Sequence, residues 1–533
     1  MKKDYDVIVI GAGSAGCAVA YRLAKESQLD VLLLEAGSAD KSMMIHMPMG
    51  FAFLLKPHKN NWAYQTQAEE FLNQRLIHLP RGKVLGGCSS INGMVYIRGQ
   101  KEDFDRWSAQ GNAGWSYAEV LPYFIRSEHY ERGADHYHGR GGPLWVSDIT
   151  DEFPIHQAFI SAAEQAGHPF NPDVNGKSQE GVSWYPRTIK NGKRYSSARA
   201  FLGAGQLLDN LTVVTHAHVM KIDIDEGKAV SVQAEVKGKP VTFRAAKEIV
   251  LSAGAINTPM LLERSGIGQP SRLEALGIHV HKALPGVGEN LQDHWNAYLK
   301  QRVNGVKTYY SEAKGAALVK NIYRYLFTKQ GFMGDSAATI GVFYKADPAA
   351  SSPDAQIHFA PAASELDAKG NMRPIDAITV SSCQLRPNSR GSVHINSTSY
   401  HDAPDIRVNY LGCVEDQRLA VAAFKKARDI LAQSALQGLI AAEFEPGAQV
   451  RTDAELLEYI KSSGEPVHHL VGSCKMGHDS MAVVDSCLRV HGVGQLRIAD
   501  ASIMPDLVSG NTHATCMMIG EKCAAFILQQ LVT

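Results

Sequence analysis

The chain has 533 residues, of which 45% are hydrophobic and 20% charged, a composition typical of a globular protein with a large core. Lys plus Arg and Asp plus Glu each number 54, and this balance excludes the strong positive field that a nucleic-acid partner requires. Eight scattered cysteines without C-x-x-C pairs indicate reduced thiols rather than a disulfide scaffold. We therefore expect a cytoplasmic protein with a small-molecule partner, and we leave peripheral membrane association open.

The N-terminal segment predicts a strand, a tight turn, a helix and a second strand. The β-branched run YDVIVI leads into GAGSAG, in which Gly11, Gly13 and Gly16 match the G-x-G-x-x-G pattern of dinucleotide-binding turns. The second strand, DVLLLEAG, contains Glu35, whose carboxylate can accept hydrogen bonds from an adenosine ribose. Together these features favour a dinucleotide site over a merely glycine-rich turn. FAD and NAD both remain open at this point, although the absence of a second glycine fingerprint favours a single tightly held cofactor.

The stretch RGKVLGGCSSINGMVYIRG, residues 81–99, is dense in glycine and small polar residues, as suits a loop against a phosphate or a flavin ring. It closely resembles the first signature of the glucose-methanol-choline (GMC) flavoprotein oxidoreductases, and SAGAINTPMLLERSGIG, residues 252–268, resembles the second. PGVGENLQDH, residues 285–294, and the C-terminal block that begins at Cys487 also match. The chain resembles the choline-dehydrogenase-like branch of this family most closely.

This resemblance implies FAD as the cofactor. Some relatives link their flavin covalently to a histidine in the first signature, where this chain has Ile91, so we expect FAD to be non-covalent. The implied cofactor-binding residues are Gly11, Gly13, Ser14, Ala15, Gly16, Glu35, Ala36, Trp62, Arg81, Val84, Gly86, Gly87, Asn92, Gly93, Met94, Val95, Val219, Ala253, Gly254, Asp500, Ala501, His513 and Thr515.

The resemblance also implies an α/β architecture of two domains. We expect a Rossmann-type FAD-binding domain assembled from discontinuous segments, and an α+β substrate domain with an antiparallel sheet over the flavin. The predicted ranges are 1–160, 190–300 and 460–533 for the FAD-binding domain, and 161–189 and 301–459 for the substrate-binding domain. Short alternating patterns at 386–411 predict that this segment contributes to the antiparallel sheet.

Two adjacent histidines, His468 and His469, stand in the stretch PVHHLVGSCKMG. Because adjacent residues on a strand or helix cannot both point at one small pocket, we expect only one of them to act there. The family has its catalytic base in an H-x-x-G-[TS] motif, which HLVGS matches, so the resemblance implies that His469 is the base and that His468 points away. It also implies that His513 hydrogen-bonds the substrate oxygen and acts as the second catalytic residue.

The expected reaction is the FAD-dependent oxidation of a primary alcohol to an aldehyde, with O₂ or a quinone as the electron acceptor. Choline is not the expected substrate, because Thr339 aligns where choline-specific relatives have a glutamate, although Asp335 lies nearby in the sequence. The alternatives are a hydroxynitrile lyase with a non-redox flavin, a fatty-acid photodecarboxylase, and a binding protein with a vestigial site. The two histidines argue against the photodecarboxylase but do not exclude the lyase.

Overall fold

Two seven-stranded sheets organise the computed structural model, which describes residues 2–203, 208–367 and 372–532. The first sheet consists of Asp4–Ile10, Val31–Glu35, Leu211–Thr215, Ala217–Asp225, Lys228–Val236, Lys239–Leu251 and Leu496–Ile498. The second sheet consists of Gly181–Trp184, Trp295–Val303, Ile340–Tyr344, Ala355–Ala360, Ala377–Gln384, Ile440–Glu445 and Glu465–Pro466. Short ladders pair Tyr64–Gln65 with His78–Leu79, Glu128–Tyr130 with Leu144–Val146, Ile189–Lys190 with Lys193–Arg194, Ile267–Gly268 with Lys282–Ala283, and Ala363–Leu366 with Met372–Ile375.

The helices surround these sheets. The longer ones are Ser14–Glu26, Lys101–Ala109, Tyr117–Ser127, Pro154–Gln165, Gly254–Arg264, Pro270–Ala275, Gly315–Thr328, Val414–Leu431, Asp453–Ser463 and His513–Val532, and the single turns are Met43–His46, Phe51–Leu54 and Tyr309–Glu312. Within the three described ranges, no helix has the length and apolar character that crossing a bilayer requires.

The first sheet is parallel at its centre. Asp4–Ile10 lies between Val31–Glu35 and Lys239–Leu251, and all three strands run in the same direction. Val31–Glu35 is buried along its whole length, as expected for a parallel strand covered on both faces. The glycine-rich turn connects the first strand to the helix Ser14–Glu26, which returns the chain to the second strand. The predicted α/β fold class is therefore confirmed.

The first and last long helices pack closely against each other. Gly520 of His513–Val532 approaches Ser14–Glu26 so closely that a Cβ there would lie 2.5 Å from Ala15 O. This contact brings both ends of the chain together beside the first sheet.

The second sheet is antiparallel, as predicted, but it does not include the segment 386–411. Residues 386–411 contribute no strand to it, and they form a separate ladder between Ser392–His394 and Asp405–Arg407. Turn-forming residues in RPNSRG and in NSTSYHDAPD leave only three residues on each side to pair, so the segment is too interrupted to add a full strand. The prediction for this segment is wrong, whereas the predicted antiparallel sheet exists.

Two hydrophobic cores correspond to the two sheets. The helix Pro154–Gln165 packs into the core of the second sheet, where Phe159 stacks on Phe359 with ring centroids 4.3 Å apart. The predicted domain boundaries at residues 160 and 300 fall inside this helix and inside the strand Trp295–Val303. The remaining division into domains stays a prediction.

Candidate active site

A cavity of about 550 Å³ is lined by residues of both sheets and of the loop 80–95. Most of the predicted cofactor-binding residues and both predicted catalytic histidines line it. They are Gly11, Gly13, Ser14, Ala15, Glu35, Ala36, Trp62, Arg81, Gly87, Asn92, Gly93, Met94, Val95, Val219, Ala253, Gly254, His469, Asp500, Ala501 and His513. The fold thus gathers residues from both ends of the chain around one space.

The glycine-rich turn is tight on one side and open on the other. Gly11 has a φ of +100°, and a Cβ there would lie 2.4 Å from Ser252 O. A Cβ on Gly16 would lie 1.9 Å from Gly11 O, so Gly16 serves the packing of helix on strand and does not line the cavity. A Cβ on Gly13 would meet no atom nearer than 3.9 Å, so a ligand can approach its backbone closely. The adjacent helix N-terminus favours an anionic group.

Glu35 lies at the end of the second parallel strand and is buried. Its Oε2 accepts a hydrogen bond from the Ala12 N–H at 3.0 Å, and its Oε1 accepts one from the Gly37 N–H at 2.8 Å. Burial raises the pKa of Glu35 to about 7, although both hydrogen bonds act in the opposite direction. Each carboxylate oxygen keeps a lone pair that can accept from a hydroxyl group of a ligand.

A second group of hydrogen-bond donors, mainly backbone N–H groups, surrounds the Asp500 carboxylate. Its Oδ2 accepts hydrogen bonds from the Gly254 N–H at 2.8 Å and from the Thr258 hydroxyl at 2.6 Å, and its Oδ1 accepts one from the Ser502 N–H at 2.8 Å. Gly254 has a φ of +84°, and a Cβ there would meet no atom within 4 Å. Asp500 therefore fixes the start of the helix Gly254–Arg264 at the cavity wall.

Three further predicted cofactor-binding residues support the lining without belonging to it. The Gly86 N–H donates to Ala12 O at 2.7 Å and ties the signature loop to the glycine-rich turn. Val84 is buried, and its carbonyl accepts from the Gly87 N–H. The Thr515 hydroxyl donates to Arg98 O at 3.1 Å. The structure thus places Val84, Gly86 and Thr515 one layer behind the cavity wall.

A chain of hydrogen bonds fixes the ring of His469. His294 Nε2 lies 2.9 Å from Leu385 O, and His294 Nδ1 lies 2.9 Å from His469 Nδ1. Because a carbonyl oxygen can only accept, His294 Nε2 carries the proton, and His294 Nδ1 accepts a hydrogen bond from His469 Nδ1–H. Burial lowers the pKa of His294 to about 4, so the neutral ring that this pattern requires is the stable form.

The same chain leaves a lone pair on His469 Nε2. The Asn511 amide donates to this atom at 3.1 Å. Burial and then the neighbouring His294 hold the pKa of His469 well below its usual range, so the imidazole is neutral at pH 7. A neutral imidazole whose Nε2 lone pair faces the cavity can accept a proton from a group there once that group replaces the Asn511 amide at this atom.

Asp293 fixes the backbone at both rings. Its Oδ1 accepts from the His294 N–H at 2.8 Å and from the His469 N–H at 2.6 Å, while its Oδ2 accepts from the Tyr410 hydroxyl at 2.7 Å. Asp293 and His294 end the stretch PGVGENLQDH, which was matched to the family without a role for either residue. The polar pair at the end of that stretch was the available signal.

His468 differs from its expected placement, because it lines the same cavity as His469. His468 has a φ of +65°, outside both strand and helix geometry, so the alternation of side chains on which the expectation depended does not apply. Its carbonyl accepts from Arg81 Nη2 at 2.6 Å, and its Nδ1 has no hydrogen-bond partner in the protein. Burial lowers the pKa of His468 to about 3.

His513 begins the C-terminal helix and is buried at the cavity wall. Its Nε2 lies 3.0 Å from Ser197 Oγ, and its Nδ1 has no hydrogen-bond partner in the protein. Burial lowers the pKa of His513 to about 4, so this ring is also neutral. It therefore has one ring nitrogen available to a ligand.

The side chains that the second sheet presents to the cavity were not predicted from the sequence. Asn296, Tyr298, His358 and Ser381 line it from three separate strands, and Asn511 lines it from the loop before the last helix. Apart from Asn511, which stands two residues before His513, each lies in a strand that also contains other polar residues, such as Gln301, Gln356 and Ser382. No local spacing distinguishes such a residue from an ordinary strand residue.

The lining fits a flavin dinucleotide together with a small substrate. Gly13 and Gly254 offer open backbone at two helix N-termini, as a pyrophosphate requires. Six buried polar atoms of lining residues have no protein partner, namely Arg264 Nε, Asn296 Oδ1, His358 Nε2, His468 Nδ1, Asn511 Oδ1 and His513 Nδ1. Because unpaired buried polar atoms are costly, these atoms mark where ligand groups bind.

Comparison with known proteins gives the same assignment. Family profiles of GMC oxidoreductases match residues 5–296 and 387–520. The chain belongs to the GMC oxidoreductase family. The resemblance found in the sequence is confirmed, and so is the assignment to FAD-dependent oxidoreductases that act on CH–OH donors.

Full-length relatives of this GMC oxidoreductase include an "Alcohol dehydrogenase [acceptor]" of Pseudomonas putida, 40% identical over 99% of this chain and 96% of that protein. The mitochondrial choline dehydrogenase of Homo sapiens is also 40% identical, over 99% of this chain and 90% of that protein. Pyridoxine 4-oxidase from Mesorbium loti superposes with a TM-score of 0.88 at 30% identity, over 98% of both chains. An FAD-dependent oxidoreductase from Chaetomium thermophilum superposes with a TM-score of 0.91 at 28% identity, over 99% of this chain and all of that one.

Proposed function

We propose that the protein oxidises a neutral primary alcohol to the aldehyde, with non-covalent FAD as the cofactor and His469 as the general base. The observation that carries this proposal is the hydrogen-bond chain from Leu385 O through His294 to His469, which leaves the Nε2 lone pair of a neutral imidazole at the cavity wall. Such a base typically contributes about 10²–10⁴ in rate.

His469 and His513 each have one role in the proposed reaction. Bound FAD supplies the acceptor for the hydride that leaves the alcohol carbon. His469 Nε2 takes the hydroxyl proton, and the resulting imidazolium keeps its Nδ1–H bond to His294. With the Ser197 hydroxyl donating to His513 Nε2, His513 Nδ1–H donates to the substrate oxygen and holds the developing alkoxide.

In this proposal the cofactor is held by the glycine-rich turn, by Glu35 and by the start of the helix Gly254–Arg264. Glu35 accepts from the ribose hydroxyls, and the open backbone at Gly13 and Gly254 receives the pyrophosphate. The cofactor is non-covalent, since Ile91 lines the cavity where a linking histidine would stand. After acid precipitation we expect colourless protein and free FAD in the supernatant. A yellow pellet would contradict the proposal, and a Cys88→Ser variant would then show whether the nearby Cys88 thiol forms the link.

The charge of the lining favours a neutral substrate. Among the described residues, the carboxylates in the cavity wall are Glu35 and Asp500, and both are engaged by backbone N–H groups of the first sheet and its turns. The relatives are alcohol and choline dehydrogenases at similar identity, so identity alone does not separate these substrates. A trimethylammonium group would lose its hydration without gaining a counter-charge.

The segment 335–339 contains Thr339, which aligns with the glutamate of choline-specific relatives. In the structure this segment reaches the cavity through other residues. Ala337 and Ala338 line the cavity, while Thr339 lies behind them and donates to Phe359 O at 3.3 Å. Asp335 is buried in an ion pair with Arg187 and does not line the cavity. The segment 335–339 therefore presents Ala337 and Ala338 to the cavity, and neither side chain can supply a counter-charge to a cationic substrate.

A panel of alcohols tests the proposal. We expect a medium-chain alkanol or benzyl alcohol to bleach the flavin of the anaerobic enzyme, with choline reacting more slowly. No bleaching by any alcohol would contradict the proposal and favour a lyase, whereas bleaching fastest with choline would contradict only the substrate class. Peroxide release when air is admitted then distinguishes O₂ from a quinone as the acceptor. We place this reaction in the cytoplasm, where the eight cysteines, all free in the structure, stay reduced.

A further inference from the structure

The helix Gly315–Thr328 is attached to the protein by its polar side and turns its apolar side outward. Asn321, the buried residue of this helix, donates to Glu312 O at 3.1 Å and to Glu312 Oε2 at 2.8 Å. The Tyr325 hydroxyl donates to Gly192 O at 3.0 Å, and Arg324 pairs with Asp151 at 2.9 Å. Ala317 and Leu318 are half-buried on the inner side as well, but most large apolar residues of the helix face outward, the reverse of an ordinary surface helix.

The outward side is a continuous apolar stripe. Val319 is 69% exposed, Tyr323 63%, Leu326 57% and Phe327 70%, and Ile322 completes the stripe at 39%. Positions 319, 322, 323, 326 and 327 follow the spacing i, i+3, i+4, i+7 and i+8, which places them on one face. Large hydrophobic side chains with such high exposed fractions are few in the described part of the chain, and on this helix five of them form one continuous patch.

The charged residues of the helix and its ends have one sign. Lys314 pairs with Asp376 and Arg324 with Asp151, so Lys320 and Lys329 are the cations of this segment without a salt bridge to any described residue. The segment 313–330 contains Lys314, Lys320, Arg324 and Lys329 and no Asp or Glu. Lys320 and Lys329 lie within or at the end of the helix itself, beside the apolar residues. An apolar face bordered by lysine and arginine is the pattern of helices that lie in a membrane interface and bind anionic lipid headgroups.

We propose that the helix Gly315–Thr328 docks the enzyme peripherally on an anionic phospholipid bilayer, with the apolar stripe inserted at headgroup level. A second copy of the chain fits this face less well, because a two-fold contact would set Lys320 and Lys329 against the same basic border. A protein partner fits less well too, since lysine is depleted from protein interfaces.

Docking on this face would also bring the bilayer near the cavity. The turn Pro48–Gly50 contacts Phe332–Gly334, which follows the helix closely in the chain. Phe51 and Leu55, directly after that turn, line the cavity, and Phe53 between them is 60% exposed. An apolar alcohol that partitions into lipid would then enter from the docked side, a consequence that rests on the proposed function, whereas the docking itself does not.

Vesicle flotation of the FAD-loaded enzyme tests the docking. We expect flotation with phosphatidylcholine vesicles that contain phosphatidylglycerol, and much weaker flotation with phosphatidylcholine alone. The double substitution Val319→Ser/Phe327→Ser should lower the partition coefficient about tenfold or more, because it removes buried apolar surface. Lys320→Gln and Lys329→Gln should each lower it about fivefold on the anionic vesicles only, and added salt should have the same effect.

Two matched substitutions serve as controls. Val414→Ser replaces a valine that is 73% exposed at the start of another helix, and Lys177→Gln removes an exposed lysine elsewhere. Both should float like the unmodified enzyme, and all variants should keep their FAD content and their activity on a water-soluble alcohol. The proposal is overturned if the unmodified enzyme does not float, or if Val319→Ser/Phe327→Ser floats equally well. It is also overturned if light scattering shows a dimer that this double substitution dissociates while vesicles are not bound.

Discussion

Two regions of the cavity act through different parts of the chain. The proposed nucleotide cradle, formed by Gly11, Gly13, Glu35, Gly254 and Asp500, presents mainly backbone groups that glycine conformations and buried carboxylates hold in place. The histidine cluster, formed by His294, His358, His469, Asn511 and His513, presents side chains from distant elements. We therefore expect cofactor affinity and reaction rate to be separable, because substitutions in one region leave the contacts of the other intact.

The largest effect that we expect beyond loss of the base is at His513. His513→Ala should lower the rate constant of flavin reduction about 10²-fold, since the donor to the substrate oxygen is lost. His513→Asn should cost about tenfold, because an amide can still donate from a similar position. Anaerobic stopped-flow reduction with one alcohol measures both variants. Equal losses in the two would show that His513 acts through packing rather than through a hydrogen bond.

His294 is a positioning residue, and its substitution should have the next largest effect. His294→Leu removes the acceptor that keeps the proton on His469 Nδ1, so the rate constant of flavin reduction should fall about tenfold. His294→Asn offers an amide oxygen to the same proton and should recover most of that loss. FAD content should be unchanged in both. If Leu and Asn reduce the rate constant equally, the tautomer argument is wrong.

Glu35→Gln tests the proposed nucleotide cradle alone, because in the described chain Glu35 makes no hydrogen bond to the histidine cluster. The amide nitrogen would face the N–H of Ala12 or Gly37, so we expect FAD to dissociate about tenfold more readily. Flavin fluorescence released on dilution measures this change. With the site saturated by added FAD, the rate constant of flavin reduction should stay the same. A slower reduction step in the saturated enzyme would mean that the two regions are coupled.

The smallest expected change is that of kcat/KM between pH 7 and pH 9. Burial holds the pKa of His469 below its usual 6.5, so the base is already neutral at pH 7 and a further rise in pH should change kcat/KM less than about twofold. On the acid side, kcat/KM should fall only well below pH 6.5, where the imidazole takes up a proton. A rate that is still rising through pH 8 would place the titrating group elsewhere.

The structure brings the residues of the proposed cradle together around the cavity, as the sequence predicts, while their role in holding a cofactor stays a prediction. Gly11, Gly13 and Glu35 belong to short contiguous patterns, and such patterns encode a local backbone geometry. Even there, Val84 and Thr515 lie behind the wall rather than in it, because a motif marks a segment and not which of its side chains reach the ligand.

The histidine cluster was predictable only in part. A motif identified His469, whereas the placement of His468 depends on a left-handed φ that no residue type announces. His358 and Asn296 come from strands whose pairing partners lie tens of residues away, so their approach to the cavity is a tertiary fact. The segment 386–411 shows the converse error, in which a local alternating pattern did not produce strands of the larger sheet.

Anaerobic stopped-flow reduction of the His469→Ala and His468→Ala variants tests the central claim most directly. His469→Ala should lower the rate constant of flavin reduction by about 10² or more, with FAD content and melting temperature nearly unchanged. His468→Ala should cost far less, although it lines the cavity and can shift the preference among alcohols. A nearly inactive His468→Ala enzyme beside a His469→Ala enzyme that keeps most of its rate would contradict the account and assign the base to the neighbouring residue.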